Sequence, residues 1–218
     1  MIVAYFWKIE ARAVPFALFA MGLDRIALKL SGNVGFFKSL GTGKGETFTP
    51  LDANPLRWGL IAEVNDIDKF DKSFVVKQWR RNSVHEFRAV LDPISSHGKW
   101  AKQEPFSPSM RDWDGQVVAI TRARIKFSQN MKFWRAVPPV TTSLKESKGL
   151  LAAIGIGEAP LGLQGTFSIW ESSAALKEFA YRGQAHNLAI EATKVHQWYS
   201  EELFSRFAIL DMRGSINT

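Results

Sequence analysis

The sequence predicts an α+β fold in which two β-α-β-β-α repeats close into one barrel within a single chain. Three observations carry that prediction. The segment GFFKSLGTG (Gly35–Gly43) recurs as GLLAAIGIG (Gly149–Gly157), so Gly35, Gly41 and Gly43 each find a counterpart 114 positions later. The same succession of strand-like and helix-like segments surrounds both copies. A last strand, at Arg206–Met212, completes the second copy. This is the split β-α-β, ferredoxin-like order. Two such sheets, each covered by helices on one face, can bury their open faces against each other. The expected product is one domain over 1–218, with a first half at 1–110 and a second at 114–218.

Each element has a local reason. Ile2–Ile9 is β-branched and aromatic, which suits a strand, and a helix from about Pro15 to Leu30 follows. Beyond the first echo comes a strand at Leu56–Glu63, then a helix starting near Asp66, whose carboxylate suits the free N–H groups of a helix N-terminus. The stretch Asn82–Trp113 matches no element. Ser95-Ser96-His97-Gly98 and Ser107-Pro108-Ser109 read as loop and predict a joint between the halves. The second half then offers a strand at Val117–Phe127, a short helix at Pro139–Ser147, the second echo, and a strand at Leu163–Trp170. A last helix starts near Ser172. The glycines of the echoes read as tight corners, where a missing Cβ permits close backbone approach.

Composition narrows the chemistry. The 218 residues include no cysteine, which excludes disulfides, thiolate-bound metals, thiolate haem ligation and cysteine nucleophiles. Eight Trp and sixteen Phe against three Tyr supply broad flat apolar surfaces, fit for a core or for a large planar or polyene ligand. The net charge of +7 suits an anionic membrane surface, a nucleic acid or an acidic electron donor. Its cations are scattered, and no nucleic-acid motif organises them. The best apolar run, Val14 to Leu23, is too short to span a bilayer, and the N-terminus lacks the pattern of a secretory signal. The expectation is a cytoplasmic protein with peripheral contact at a membrane surface.

Most familiar catalytic motifs fail. Gly41-Thr42-Gly43-Lys44-Gly45 resembles a phosphate loop, but Gly45 stands where Ser or Thr is required, and Glu46 occupies the glycine position of a dinucleotide fingerprint. No Gly-x-Ser-x-Gly elbow and no His-Glu-x-x-His pair occurs. His85 and His97 read as surface histidines. His186 and His196 share the predicted last helix, ten residues and about 15 Å apart, too far to close on one metal. His186 keeps apolar company at helical spacing, with Phe179 two turns before it and Arg182 one turn before. From spacing alone it is either a hydrogen-bonded structural histidine or a metal ligand.

Several long segments together resemble a known family. GIGEAPLGLQGTFSIW, FAYRGQAH, WYSEELFSRF, FWRAVPPVTTSLKESKGLL and GTGKGETFTP are similar to the spheroidene monooxygenases, acyclic carotenoid 2-ketolases. The resemblance covers most of the chain and is strongest from Phe133 to Phe207. It implies a haem b monooxygenase that uses O2 and reduced ferredoxin to place a keto group at the terminal C-2 of an acyclic carotenoid. It also implies likeness to dimeric α+β barrel haem proteins, in which a helix histidine holds the iron. On this chain that role falls to His186, with Arg182, Phe179, Gln164, Glu158 and Phe167 as contacts of the cofactor. Lys44 and Phe48 would offer a second wall. A haem barrel of different chemistry, or a binding barrel without enzymatic activity, are the alternatives.

Overall fold

The computed structural model describes residues 1–43, 49–109, 112–125, 142–158, 165–182 and 199–216. In chain order these form β1 (Ile2–Ile9), α1 (Val14–Leu30), β2 (Val34–Gly43), β3 (Ala53–Val64), α2 (Ile67–Asp71), α3 (Phe74–Asn82) and β4 (Ser83–Gly98). The second half contributes β5 (Val117–Ile125), β6 (Leu150–Gly157), β7 (Gly165–Trp170), α4 (Ser173–Arg182) and β8 (Tyr199–Arg213). The strands close a barrel in the order β1-β3-β2-β6-β7-β5-β8-β4, with every neighbouring pair antiparallel. Each half is a four-stranded ferredoxin-like sheet, β4-β1-β3-β2 and β8-β5-β7-β6, as the element order predicts.

The glycine echoes meet at a seam between the halves. Gly41 pairs with Gly157, Thr42 with Ile156 and Gly43 with Gly155. Because Gly41 corresponds to Gly155 and Gly43 to Gly157, the pair Thr42–Ile156 lies on the internal two-fold. These glycines are therefore strand residues at a β-seam, not the corners their sequence suggests. The other seam joins β4 to β8 from Arg88–Arg213 to Gly98–Leu203.

Local signals explain the helices. Pro15 in the first turn of α1 costs no hydrogen bond, because that N–H would be unpaired anyway. Asp66 accepts from Lys69 N–H at 2.9 Å to cap α2, and Ser73 accepts from Val76 N–H at 3.3 Å to cap α3. The apolar residues sort into three clusters. The lumen is filled from all eight strands, and Phe6, Phe87 and Phe167 touch one another at its centre with ring centroids 5.0–6.2 Å apart. An eight-stranded barrel is just wide enough for side chains to fill it. The outer face of the first half packs under α1, α2 and α3, and that of the second half under α4.

Two sequence expectations are corrected. Asn82–Trp113 is not mainly a loop, because Ser83–Gly98 forms the 16-residue strand β4, including Ser95, Ser96 and His97. Register shifts at Val90/Leu91 and Pro93/Ser95 let the strand carry a proline. The last strand, expected at Arg206–Met212, starts earlier and runs as β8 from Tyr199 to Arg213.

Candidate functional site

One mouth of the barrel is closed by charge. The inward side of β5 reads Val118, Ile120, Arg122, so strand alternation drives a cation into the lumen wall. The Arg122 side chain is only 4% exposed and bonds Glu158 at 2.6 Å and Glu201. Glu158, just beyond β6, also takes Lys38 Nζ at 2.8 Å and the indole N–H of Trp100 at 2.8 Å. Glu201 further accepts the backbone N–H groups of Ala101 and Lys102, both held at positive φ. Arg122 lies over the Trp100 ring, 5.5 Å from its centroid. Burial alone would push both carboxyl groups up. Lys38, Arg122 and Trp100 hold Glu158 below the usual range, while the loop amides and Arg122 do the same for Glu201. The cluster ties β2, β5, β6, β8 and the loop after β4 across the seam.

The outer faces of the two halves differ, and the strand registers align them. Phe6 pairs with Gly59 and Phe87, as Ile120 pairs with Phe167 and Ser205. On the first half, Tyr5, Trp7, Ile9, Trp58 and Leu60 therefore correspond to Ala119, Thr121, Ala123, Thr166 and Ser168 on the second. In the first half these large side chains fill the layer under the helices, with Trp7 stacked on Trp79 at 5.2 Å and Tyr5 on Trp7 at 5.0 Å. The second half has small residues at all five positions. Among the described residues its largest buried side chain is Trp170, which stacks on Phe179 of α4 at 5.4 Å and donates to Ser168 Oγ at 2.9 Å.

The same register pairs Tyr5 with Arg88 and Ala119 with Arg206. Arg88 is held by Asp71 at 2.8 Å and Asp211 at 2.6 Å, and Asp71 also accepts from the Tyr5 hydroxyl. Among the described residues Arg206 has no such ion pair, and its Nε, like that of Arg122, is buried without a hydrogen bond. A buried donor left unpaired costs about 1–3 kcal/mol.

The residues singled out in the sequence separate. Glu158 belongs to the charged mouth. Phe167 fills the lumen, whereas Phe179 sits on the outer layer, so the two lie on opposite faces of β7. Arg182 ends α4, and its side chain lies outside the described residues, as do His186, His196, Gln164, Lys44, Phe48 and Trp198. The ends of four strand segments, at Ile125, Glu158, Gly165 and Tyr199, lie together. The pairs Ile125–Tyr199, Arg122–Gly165 and Ile156–Gly165 put all four ends at the charged mouth. Among the described residues no group of three or more His, Asp or Glu is placed to hold a metal ion. Sequence reasoning missed Arg122, Glu201 and Lys38. The readable signal was a charged residue at an inward position of an apolar strand.

This architecture defines an α+β barrel of two ferredoxin-like halves, with a first half packed solid and a second relieved of bulk beneath its helix. Two solved structures of aldoxime dehydratase, one in complex with butyraldoxime, share that fold. Each superposes with a TM-score of 0.60 over 96% of this chain, and over 79% and 81% of its own length, at 12% and 10% identity. At that identity the likeness is one of fold. No family model matches the chain. Spheroidene monooxygenase of Rhodobacter capsulatus is 36% identical over 93% of this chain and 87% of its own length. The Rubrivivax gelatinosus protein of the same name is 37% identical over 82% and 70%, and that of Cereibacter sphaeroides 32% identical over 89% and 61%. The chain belongs to the spheroidene monooxygenase family and is an oxygenase.

Proposed function

We propose that this chain is a haem-dependent carotenoid ketolase whose cofactor occupies the layer between the outer face of the second half and its helices. The observation that carries the reading is Arg206, a cation with a buried unpaired Nε on a sheet face paved with Ala119, Thr121, Ala123, Thr166 and Ser168. That donor set fits a broad, flat, largely apolar group bearing anionic oxygens. The chain has no cysteine, so a thiolate ligand is excluded, and the resemblance implies that His186, on the segment that follows α4, would hold the iron. Arg206 would hold an anionic group, the Trp170–Phe179 stack would close one side of the layer, and the small side chains would leave it its thickness. Haem, when bound, supplies oxygen activation. The chain's own part is to bind, orient and exclude water.

The net reaction balances as two hydroxylations at one terminal carbon. Each takes one O2, two electrons and two protons and releases one water, with reduced ferredoxin as the electron source. The resulting gem-diol loses water to give the ketone. The likeness of fold to aldoxime dehydratase favours a second reading, a haem barrel that dehydrates a small apolar substrate. Product analysis with an acyclic carotenoid against an aliphatic aldoxime separates the two.

The first test is the visible spectrum of haem-reconstituted protein beside His186→Ala. A sharp Soret band that shifts or disappears in the variant is expected. No specific band in the parent overturns the haem reading. A band unchanged in the variant moves the axial ligand to another residue.

A further inference from the structure

Helix α1 carries an apolar stripe that faces away from the protein. Its inner side buries Ala17, Ala20, Asp24 and Leu28 against the first sheet and α3. On the opposite side Phe19 is 69% exposed, Leu23 48%, Ile26 58% and Leu30 82%. At 100° per residue these four fall within about 60° of one another, one straight ridge along the helix. They recur at intervals of four, three and four, the spacing by which a helix presents an apolar face to a partner. Single exposed apolar residues are ordinary, but a continuous ridge of large ones marks an interaction surface.

The charges beside the ridge identify what covers it. Exposed Arg25 and Lys29 run along one flank, one helical turn apart. The helix has a single acidic residue, Asp24, and it is buried, accepting from the indole N–H of Trp79 at 2.6 Å and from Gln78. A second copy of this helix laid against the first would set Arg25 and Lys29 of both copies near one another with no exposed carboxylate on either helix to balance them. An anionic lipid surface does the reverse, because its headgroups pair the cations while the ridge enters the boundary with the acyl chains. Among the described residues no helix is long and apolar enough to cross a membrane, so this contact lies on the surface and does not span.

We propose that α1 is a membrane-docking helix that seats the barrel on an anionic lipid surface through Phe19, Leu23, Ile26 and Leu30. The proposal deepens the carotenoid reading, since a polyene substrate dissolves in that same phase, but it stands on the helix itself.

The test is co-sedimentation of the full chain with vesicles of phosphatidylglycerol and phosphatidylcholine, and of phosphatidylcholine alone, without haem or carotenoid. The parent is expected to bind the anionic vesicles and to weaken as salt rises. The double variant Phe19→Ser/Ile26→Ser should bind at least about ten-fold more weakly. Arg25→Gln/Lys29→Gln should lose about five-fold per cation and lose most of the salt dependence. Both pairs are solvent-facing, so unchanged thermal unfolding is the control for folding. A parent that stays in the supernatant with anionic vesicles, or a serine variant that binds as the parent does, overturns the proposal. So does light scattering that shows a dimer which the serine variant dissolves, assigning the ridge to a contact between copies. Because neither haem nor substrate is present, vesicle binding can hold while the ketolase reading fails, or the reverse.

Discussion

Replacing Arg206 with methionine should stabilise the empty protein and weaken its hold on haem. Methionine keeps the unbranched stem, so packing in the outer layer is retained while the guanidinium is removed. The parent buries Nε without a partner, at a cost of about 1–3 kcal/mol. The side chain is only part-buried, so relief near the lower end of that range is expected. For a chain of this size about 1 kcal/mol moves the unfolding midpoint by roughly 2–4 °C, and Arg206→Met without haem should melt higher by that amount. A hydrogen bond to a charged group contributes about 1.5–3 kcal/mol, so haem affinity should fall about 10- to 100-fold. Scanning fluorimetry reads the first effect and a Soret titration the second. Haem dimethyl ester, which lacks free carboxylates, tells whether Arg206 meets a propionate, and fluoride binding to the ferric protein tells whether it faces the iron. A variant that melts several degrees lower with unchanged haem affinity would refute the reasoning and make Arg206 a structural residue.

Glu158→Ala strands Lys38 and the Trp100 indole at the charged mouth and leaves Arg122 with Glu201 alone. With Glu158 about one-third exposed, the loss should be about 2–3 kcal/mol, read as a lower urea midpoint. Glu158 and Glu201 are held below the ordinary carboxyl range, so their contribution is present above the unfolded carboxyl values and is lost as pH falls through the lowered native ones. A Glu201→Gln chain should show less acid sensitivity in urea melts than the parent. Asp24 runs the other way. Burial, only partly offset by hydrogen bonds from Trp79 and Gln78, raises it from 3.8 to about 6. Its contribution is full below pH 3.8 and lost as pH rises through about 6, a change of about 3 kcal/mol that Asp24→Ala should remove from the pH profile. Gly98 has φ +91° and an added Cβ would lie 2.1 Å from the Glu202 carbonyl oxygen. Gly98→Ala should therefore cost at least about 2 kcal/mol by thermal melts.

The element order was legible because strands such as Ile2–Ile9 and Val117–Ile125 show local β character and the helices carry local caps at Asp66 and Ser172. β4 was not, because Pro93, Ser95 and Ser96 are turn-formers by local chemistry. They extend only because β8 pairs with them from more than a hundred positions away. The same non-locality hid the start of β8 and turned the echo glycines from expected corners into a seam. Of the candidate site, the sequence put weight on the second half and on the segment around His186. The separation of Phe167 from Phe179 follows from which face of β7 each meets, and Phe179 is not on that strand at all. Arg206 could not be singled out locally, since its buried, unbonded Nε shows only in the folded sheet, beside Arg88, its counterpart in the other half.

The two seams also say how the chain must be made whole. Neither half has a finished sheet: 1–110 alone would carry bare backbone along both β2 and β4, the strands that Gly155–Gly157 and β8 otherwise cover. A nascent first half leaving the ribosome is therefore sticky along two edges until its sibling arrives, and the partner it would most readily accept in the interim is another copy of itself. Tethering the second half to the first raises its local concentration enough to win that competition. On this view the connection between the halves acts as an internal chaperone.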